Sequence, residues 1–237
     1  MKICIQAGHV NTTTSATGAP NEMSFNLDIA NQVSAQLRER GFEVKQTDAN
    51  ADKDPAVTGI DWDLFLAIHY DADIYGTGGY FVDFPEPSTD FATKESQRIQ
   101  KILSGEYGKV TGIVNHPERS NANTRYYYIW KALSAKTPCN LIECGVGMHV
   151  PDDWQILHFD RPRVVEGIVR GICLAMGVNY TSTTTTVTTT STSTSSSTTT
   201  LKPSECEEKL KQIHDTLYGK GWWWVKMARI KELVPKD

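Results

Sequence analysis

Cysteine is scarce in this chain, and what there is does not suggest pairing. The five cysteines (Cys4, Cys139, Cys144, Cys173 and Cys206) are odd in number and lie mostly in apolar runs. That pattern marks reduced core residues and excludes a disulfide framework. Long hydrophobic runs are missing too. No stretch approaches the roughly 20 apolar residues that a membrane-spanning helix needs, so stable membrane insertion is excluded. Basic excess is also lacking: 24 Lys+Arg stand against 28 Asp+Glu, a net charge of −4, which argues against nucleic acid as the main partner. Met1-Lys2 leads straight into a strand pattern with no apolar leader or cleavage site. The expectation is synthesis without a signal peptide in a reducing cytoplasm, any action outside depending on release by another agent. No internal repeat is visible.

One segment lacks nearly everything. Residues 181–200 contain only Ser and Thr apart from Val187. Such a stretch buries no apolar surface to offset chain entropy and reads as a disordered linker. About 180 residues precede it, ample for one domain with its own core, and 37 follow, too few to stand alone. Charge divides with it: residues 1–180 carry 16 Lys+Arg and 22 Asp+Glu, a net of −6, and residues 201–237 carry 8 and 6, a net of +2.

What is present alternates strand and helix. Residues 2–6 are a short apolar strand and 8–21 a polar loop. Phe25, Leu27, Ile29, Ala30, Val33 and Leu37 fall broadly on one helical stripe that Gly41 stops. Residues 42–46 read as a strand, 49–62 as a polar connection, and 64–68 and 79–83 as strands. A helix is expected over 90–104, a loop over 110–124, an aromatic segment over 126–130, a strand over 139–143 and a closing helix over 163–176. The order predicts an α/β fold, a mostly parallel sheet with helices on both faces.

Chemistry gathers where apolar runs end. His9 follows Ile3-Cys4-Ile5, His69 ends the run Leu64 to Ile68, Glu143 ends "CNLIE", and Glu22 opens the first long helix. Open α/β sheets place their ligand sites at strand exits of this kind. A single histidine there is commonly a hydrogen-bonded structural residue. Two imidazoles with one carboxylate, however, are also the protein ligands of a catalytic zinc site, whose fourth position stays open to water. Spacing by itself leaves the two readings balanced. Cys144 adjoins Glu143, but neighbouring strand residues face opposite ways, so a core role outweighs that of a thiolate nucleophile. His116 lies in a polar loop and could line the groove, though a surface position outweighs that; His149 and His158 are late loop residues with no partner pattern. Arg125 and Tyr126 to Tyr128 offer a grip on a carboxylate or a sugar ring, or simply packing.

These residues resemble the zinc-dependent N-acetylmuramoyl-L-alanine amidases of the Amidase_3 type, especially the catalytic domains of phage endolysins. The family's strand ending in Gly-His looks like "ICIQAGH", and its metal glutamate looks like Glu22 in "PNEMSFNLDIA". Its Ser-Ile-His-x-Asn-Ala motif is matched by "AIHYDA", and its Val-Glu-x-Gly-Phe motif by "IECGV". The likeness covers about residues 1–178. It departs at Ala67 for Ser, Asp71 for Asn, Val146 for Phe, and Thr47-Asp48 for Thr-Arg, which bears on the shape of the substrate groove and removes no ligand. The resemblance implies Zn²⁺ on His9, Glu22 and His69, with Glu143 as the catalytic acid–base; Asp71 and Arg125 are the candidates for substrate contact. It also implies peptidoglycan as partner, cut between N-acetylmuramic acid and L-alanine during host lysis. Rival readings are a zinc peptidase or deacetylase acting on another wall bond, and a wall-binding protein with a degenerate catalytic fold.

After the linker, Cys206, Leu210, Ile213 and Leu217 are spaced 4, 3 and 4, and so are Trp223, Met227, Ile230 and Val234. The spacing predicts a helical hairpin around Gly219 and Gly221, an accessory module for wall binding or self-association through residues 201–237.

Overall fold

Among the described residues, five strands form one sheet: β1 (Lys2–Ala7), β2 (Glu43–Thr47), β3 (Leu64–Asp71), β4 (Phe81–Asp83) and β5 (Cys139–Val146). Their order is β2-β1-β3-β5-β4, parallel throughout except for β4, which runs antiparallel to β5 at the edge. Six helices join them: α1 (Glu22–Glu39), α2 (Pro55–Thr58), α3 (Phe91–Thr111), α4 (Ala122–Arg125), α5 (Asp152–Phe159) and α6 (Arg161–Ala175). This computed structural model describes residues 1–12, 19–72, 76–86, 91–147, 149 and 152–181. The expected linker beyond residue 181 and the expected hairpin in 201–237 lie outside the described residues.

Alternation along the strands sorts side chains onto two unequal faces. In β3, Leu64, Leu66, Ile68 and Tyr70 join Ile3, Ile5, Ile142 and the apolar stripes of α1, α3 and α6 in the larger core. Phe65 and Ala67 point the other way, with Cys4, Cys139 and Leu141, under Val57, Trp62, Ile129 and Leu133. The sheet is therefore covered on both sides, by long helices on one and by short turns on the other. His69, Asp71 and Glu143 continue the alternation of this thinner face. The cysteines Cys4, Cys139, Cys144 and Cys173 are free and buried, as their apolar setting predicts.

Helix ends differ from expectation for packing reasons. α3 runs to Thr111, past the end expected at residue 104, through Gly105 and Gly108. A Cβ on Gly108 would stand 2.6 Å from the Tyr80 hydroxyl. One on Gly171 of α6 would stand 2.9 Å from the Leu103 Cα of α3. Gly108 and Gly171 mark contact between elements, not chain breaks; the stop is Gly112, at φ +77°. α5 was not foreseen. Its Asp153 is buried and accepts the Val146 amide at 2.8 Å and the Gly79 amide, which fixes the end of β5. His158 therefore sits on a helix, with Nε2 2.8 Å from the Gly147 carbonyl. β5 also continues three residues past its expected end, so Glu143 lies within the strand.

Candidate metal centre

Three elements bring three donors together at the carboxyl edge of the sheet. His9 follows β1 in the left-handed region, at φ 58°, a conformation that non-glycine residues seldom adopt. His69 rises from β3, 3 % exposed, and Glu22 opens α1, 2 % exposed. Glu22 Oε1 lies 3.0 Å from His69 Nδ1 and 3.5 Å from His9 Nε2. The two rings are nearly perpendicular, with centroids 4.8 Å apart. All three donor atoms fall within 4.8 Å of one another, and this is the one such grouping among the described residues.

The surroundings hold these donors in place. Glu22 Oε2 accepts the Ala19 amide at 3.1 Å, while the Asn26 side-chain amide donates to Glu22 Oε1 at 3.2 Å and to the Gly8 carbonyl at 3.0 Å. A Cβ on Gly8 would stand 2.2 Å from His69 Cε1 and 2.3 Å from Nε2, so only glycine lets that ring lie against β1's exit. On its far side His69 Nε2 is 3.1 Å from the Tyr127 hydroxyl. That hydroxyl donates to Gln6 Oε1 at 3.1 Å.

The donor set fits zinc. A tetrahedral ion with ligands at about 2.1 Å spaces them about 3.4 Å apart, close to the 3.0 and 3.5 Å found here. Burial pushes the Glu22 carboxyl upward, but the His69 hydrogen bond, the charges of His69 and His9, and Asn26 outweigh it. The group ends below the usual carboxylate range, ionised and ready to bind a cation.

Glu143 stands on the strand next to His69, and its Oε2 is covered without a hydrogen-bond partner among the described residues. Burial first, then the charges of Glu22 and Asp71, raise its carboxyl well above the ordinary range. Asp71 follows on the same face after an irregularity in the β3–β5 ladder. Its Oδ1 accepts the Ala72 amide at 2.8 Å, and its buried Oδ2 has no partner among the described residues. Arg125 lies elsewhere, exposed at the end of α4 and bonded to Ser120 Oγ (2.9 Å) and Glu86 (3.5 Å). Two open cavities lie toward the opposite sheet edges. One, of about 570 Å³, is lined by Asn11, Asp48 and Asn50; the other, of about 730 Å³, by Gly78, His116 and His149. His116, expected as a surface residue, thus lines a cavity and pairs with Glu118 at 2.6 Å.

Sequence reasoning missed Asn26 and Gln6 and left Tyr127 undecided between packing and sugar contact. Asn26 and Gln6 did carry a signal, since each is polar on an otherwise apolar stripe and each is fully buried.

Comparisons with known proteins agree with this fold. The chain is similar in fold to the N-acetylmuramyl-L-alanine amidase Ami1 from Mycobacterium smegmatis, with TM-score 0.58 and 19 % identity over 75 % of this chain and 97 % of that one. The catalytic domain of the amidase CwlV from Bacillus (Paenibacillus) polymyxa gives TM-score 0.59 and 19 % identity, covering 75 % and 99 %. The catalytic domain of the CD27L endolysin targeting Clostridia difficile gives TM-score 0.54 and 19 % identity, covering 76 % and 99 %. No curated protein matches the chain in sequence. The model of one family, however, matches residues 3–173 of the 237, spanning β1 to α6, and by that match the chain belongs to the Amidase_3 family of N-acetylmuramoyl-L-alanine amidases.

Proposed function

We propose that this peptidoglycan amidase works with zinc on His9, Glu22 and His69, uses Glu143 as its general acid–base, and serves as an endolysin. The bond is the amide joining N-acetylmuramic acid to the L-alanine of the stem peptide, as its family implies. The observation that carries the reading is the convergence of two imidazole nitrogens on one buried carboxylate oxygen. Zinc, when bound, supplies a Lewis acid that polarises the scissile carbonyl and acidifies water.

The chain's own residues do the rest. Gly8 and Asn26 hold His69 and Glu22 against the β1 exit, keeping the donors in register. Glu143 takes a proton from the attacking water and passes it to the leaving amine. A carboxyl raised by burial and neighbouring charge holds that proton firmly enough to carry it between the two steps. Asp71, whose Oδ2 is buried on the same face, is the nearer candidate for substrate contact. Arg125, exposed beside Glu86, remains a second candidate for that contact.

For the whole chain, residues 201–237 act as a separable module for wall binding or self-association, tethered by the Ser/Thr segment. The enzyme meets the wall after release from the cell that makes it. Purified walls from several Gram-positive bacteria, digested with and without chelator, test the reading: new N-terminal L-alanine appears only with metal. His9→Ala, Glu22→Ala and His69→Ala each lose zinc and activity together. Full activity in a zinc-free variant, or release of other new chain ends, would refute it.

A further inference from the structure

Behind the candidate centre, a chain of hydrogen bonds runs from the backbone to His69, and each link has only one direction. The Asp48 carbonyl lies 3.0 Å from Gln6 Nε2. A carbonyl can only accept, so the amide of Gln6 must present its NH₂ there. The same NH₂ meets the Tyr128 hydroxyl at 3.0 Å, and that hydroxyl donates onward to the Ala49 carbonyl. Gln6 Oε1 is thereby turned toward the Tyr127 hydroxyl, 3.1 Å away. Oε1 also only accepts, so Tyr127 donates to it. With its single proton committed, the hydroxyl offers only lone pairs to His69 Nε2 at 3.1 Å. Nε2 must therefore carry the ring hydrogen, and Nδ1 is left as the open donor, facing Glu22 Oε1 at 3.0 Å. Two lone pairs at that separation repel unless a cation, a proton or a metal ion, lies between them.

We propose that Tyr127 and Gln6 are positioning residues that fix the tautomer and ring angle of His69, making Nδ1 its metal-binding nitrogen. The relay presupposes the zinc reading above and adds what supports it from behind. Metal-bound histidines usually hold their second N–H on an acceptor, and loss of that acceptor weakens metal binding about 10–100-fold. Gln6 is fully buried in β1, so the orienting end of the relay is rigid. Tyr127 meets the His69 ring edge-on, at 88° and 5.6 Å between centroids, which holds the ring plane as well as its proton.

The test compares zinc dissociation constants, from competition with a chromophoric chelator, for the full-length wild type, Tyr127→Phe, Gln6→Met and His69→Ala. Each preparation is checked by circular dichroism for an intact fold. In the zinc-loaded wild type, proton NMR with ¹⁵N-labelled histidine should show a slowly exchanging Nε2–H on His69. Tyr127→Phe should weaken zinc about 10–100-fold and speed exchange of that proton, a change that general loosening of the fold would not confine to one N–H. Gln6→Met should fall between it and the wild type. Equal zinc affinity and equal exchange in Tyr127→Phe, while His69→Ala loses zinc, would overturn the relay alone. Retention of zinc by His69→Ala would overturn the ligand reading beneath it, and the relay with it.

Discussion

His69 of β3 and Glu143 of β5 are register partners in adjacent parallel strands, so their side chains leave the same face of the sheet side by side. One is a candidate ligand and the other the candidate base. Their spacing follows from strand pairing, which is far stiffer than a pair of loops.

From that pairing follows the first prediction. Glu143→Gln keeps the side chain's shape and cannot accept a proton, so turnover should fall about 10²–10⁴-fold. Zinc content should stay at the wild-type level. Metal analysis beside a wall-digestion assay checks both, and loss of zinc in this variant would make Glu143 a ligand instead.

Gly8 yields the second. A methyl group there would overlap the His69 ring, so Gly8→Ala must push the ring or β1 aside. Overpacking of this kind costs about 1–3 kcal/mol. Zinc affinity should fall in the same variant, because the displaced atoms belong to a ligand. Thermal melting and metal titration report the two effects separately. A variant with native zinc affinity would show that the ring has room to move.

The third concerns pH in the metal-free protein. Glu143 and Asp71 both titrate above their ordinary values of 4.5 and 3.8 in the folded state, chiefly through burial. The folded protein then binds more protons than the unfolded chain, so their contribution is present below those values and is lost as pH rises through the raised ones. Glu22 has the opposite sign, but its lowered carboxyl confines its effect to pH below 4.5. The melting temperature of metal-free protein should fall as pH rises from the ordinary carboxylate range toward neutrality. Glu143→Gln should flatten the fall and melt higher at neutral pH. An unchanged slope would mean that Glu143 is not the group responsible.

A fourth prediction concerns where the catalytic part ends. Tyr180 packs against the main core, with the Arg40 and Arg170 guanidinium groups 5.0 and 5.4 Å from its ring centre. A chain cut after Thr181 should keep its melting temperature, zinc binding and hydrolysis of small substrates, whereas wall pull-down or oligomer size by light scattering should change. A cut after Asn179, which discards Tyr180, should melt lower. Equal wall binding and equal size in the longer truncation would refute a separable module.

Much of this architecture was legible because apolar periodicity is local. The runs at Ile3, Leu64 and Leu141 announced their strands, and the helical stripe from Phe25 to Leu37 placed Glu22 in a first turn. The donors could be named because each stands where such a run begins or ends. Contacts that cross the sheet were not legible. Nothing near Tyr127 in the sequence points to Gln6, 121 residues away. Glycine misled for the same reason: Gly108 looks like a break in α3 until Tyr80, from a different element, is seen to need the space.

The donors of the candidate centre are supplied at positions 9, 22 and 69, one each from the exit of β1, the start of α1 and the body of β3. No single element holds two of them, so the unfolded chain has no site to offer. An ion bound here would act as a non-covalent clasp on a 60-residue stretch of chain, and its binding energy would add to folding energy. The enzyme's lifetime would then track the free zinc around it, and chelation would disarm it twice, first as a catalyst and then as a fold.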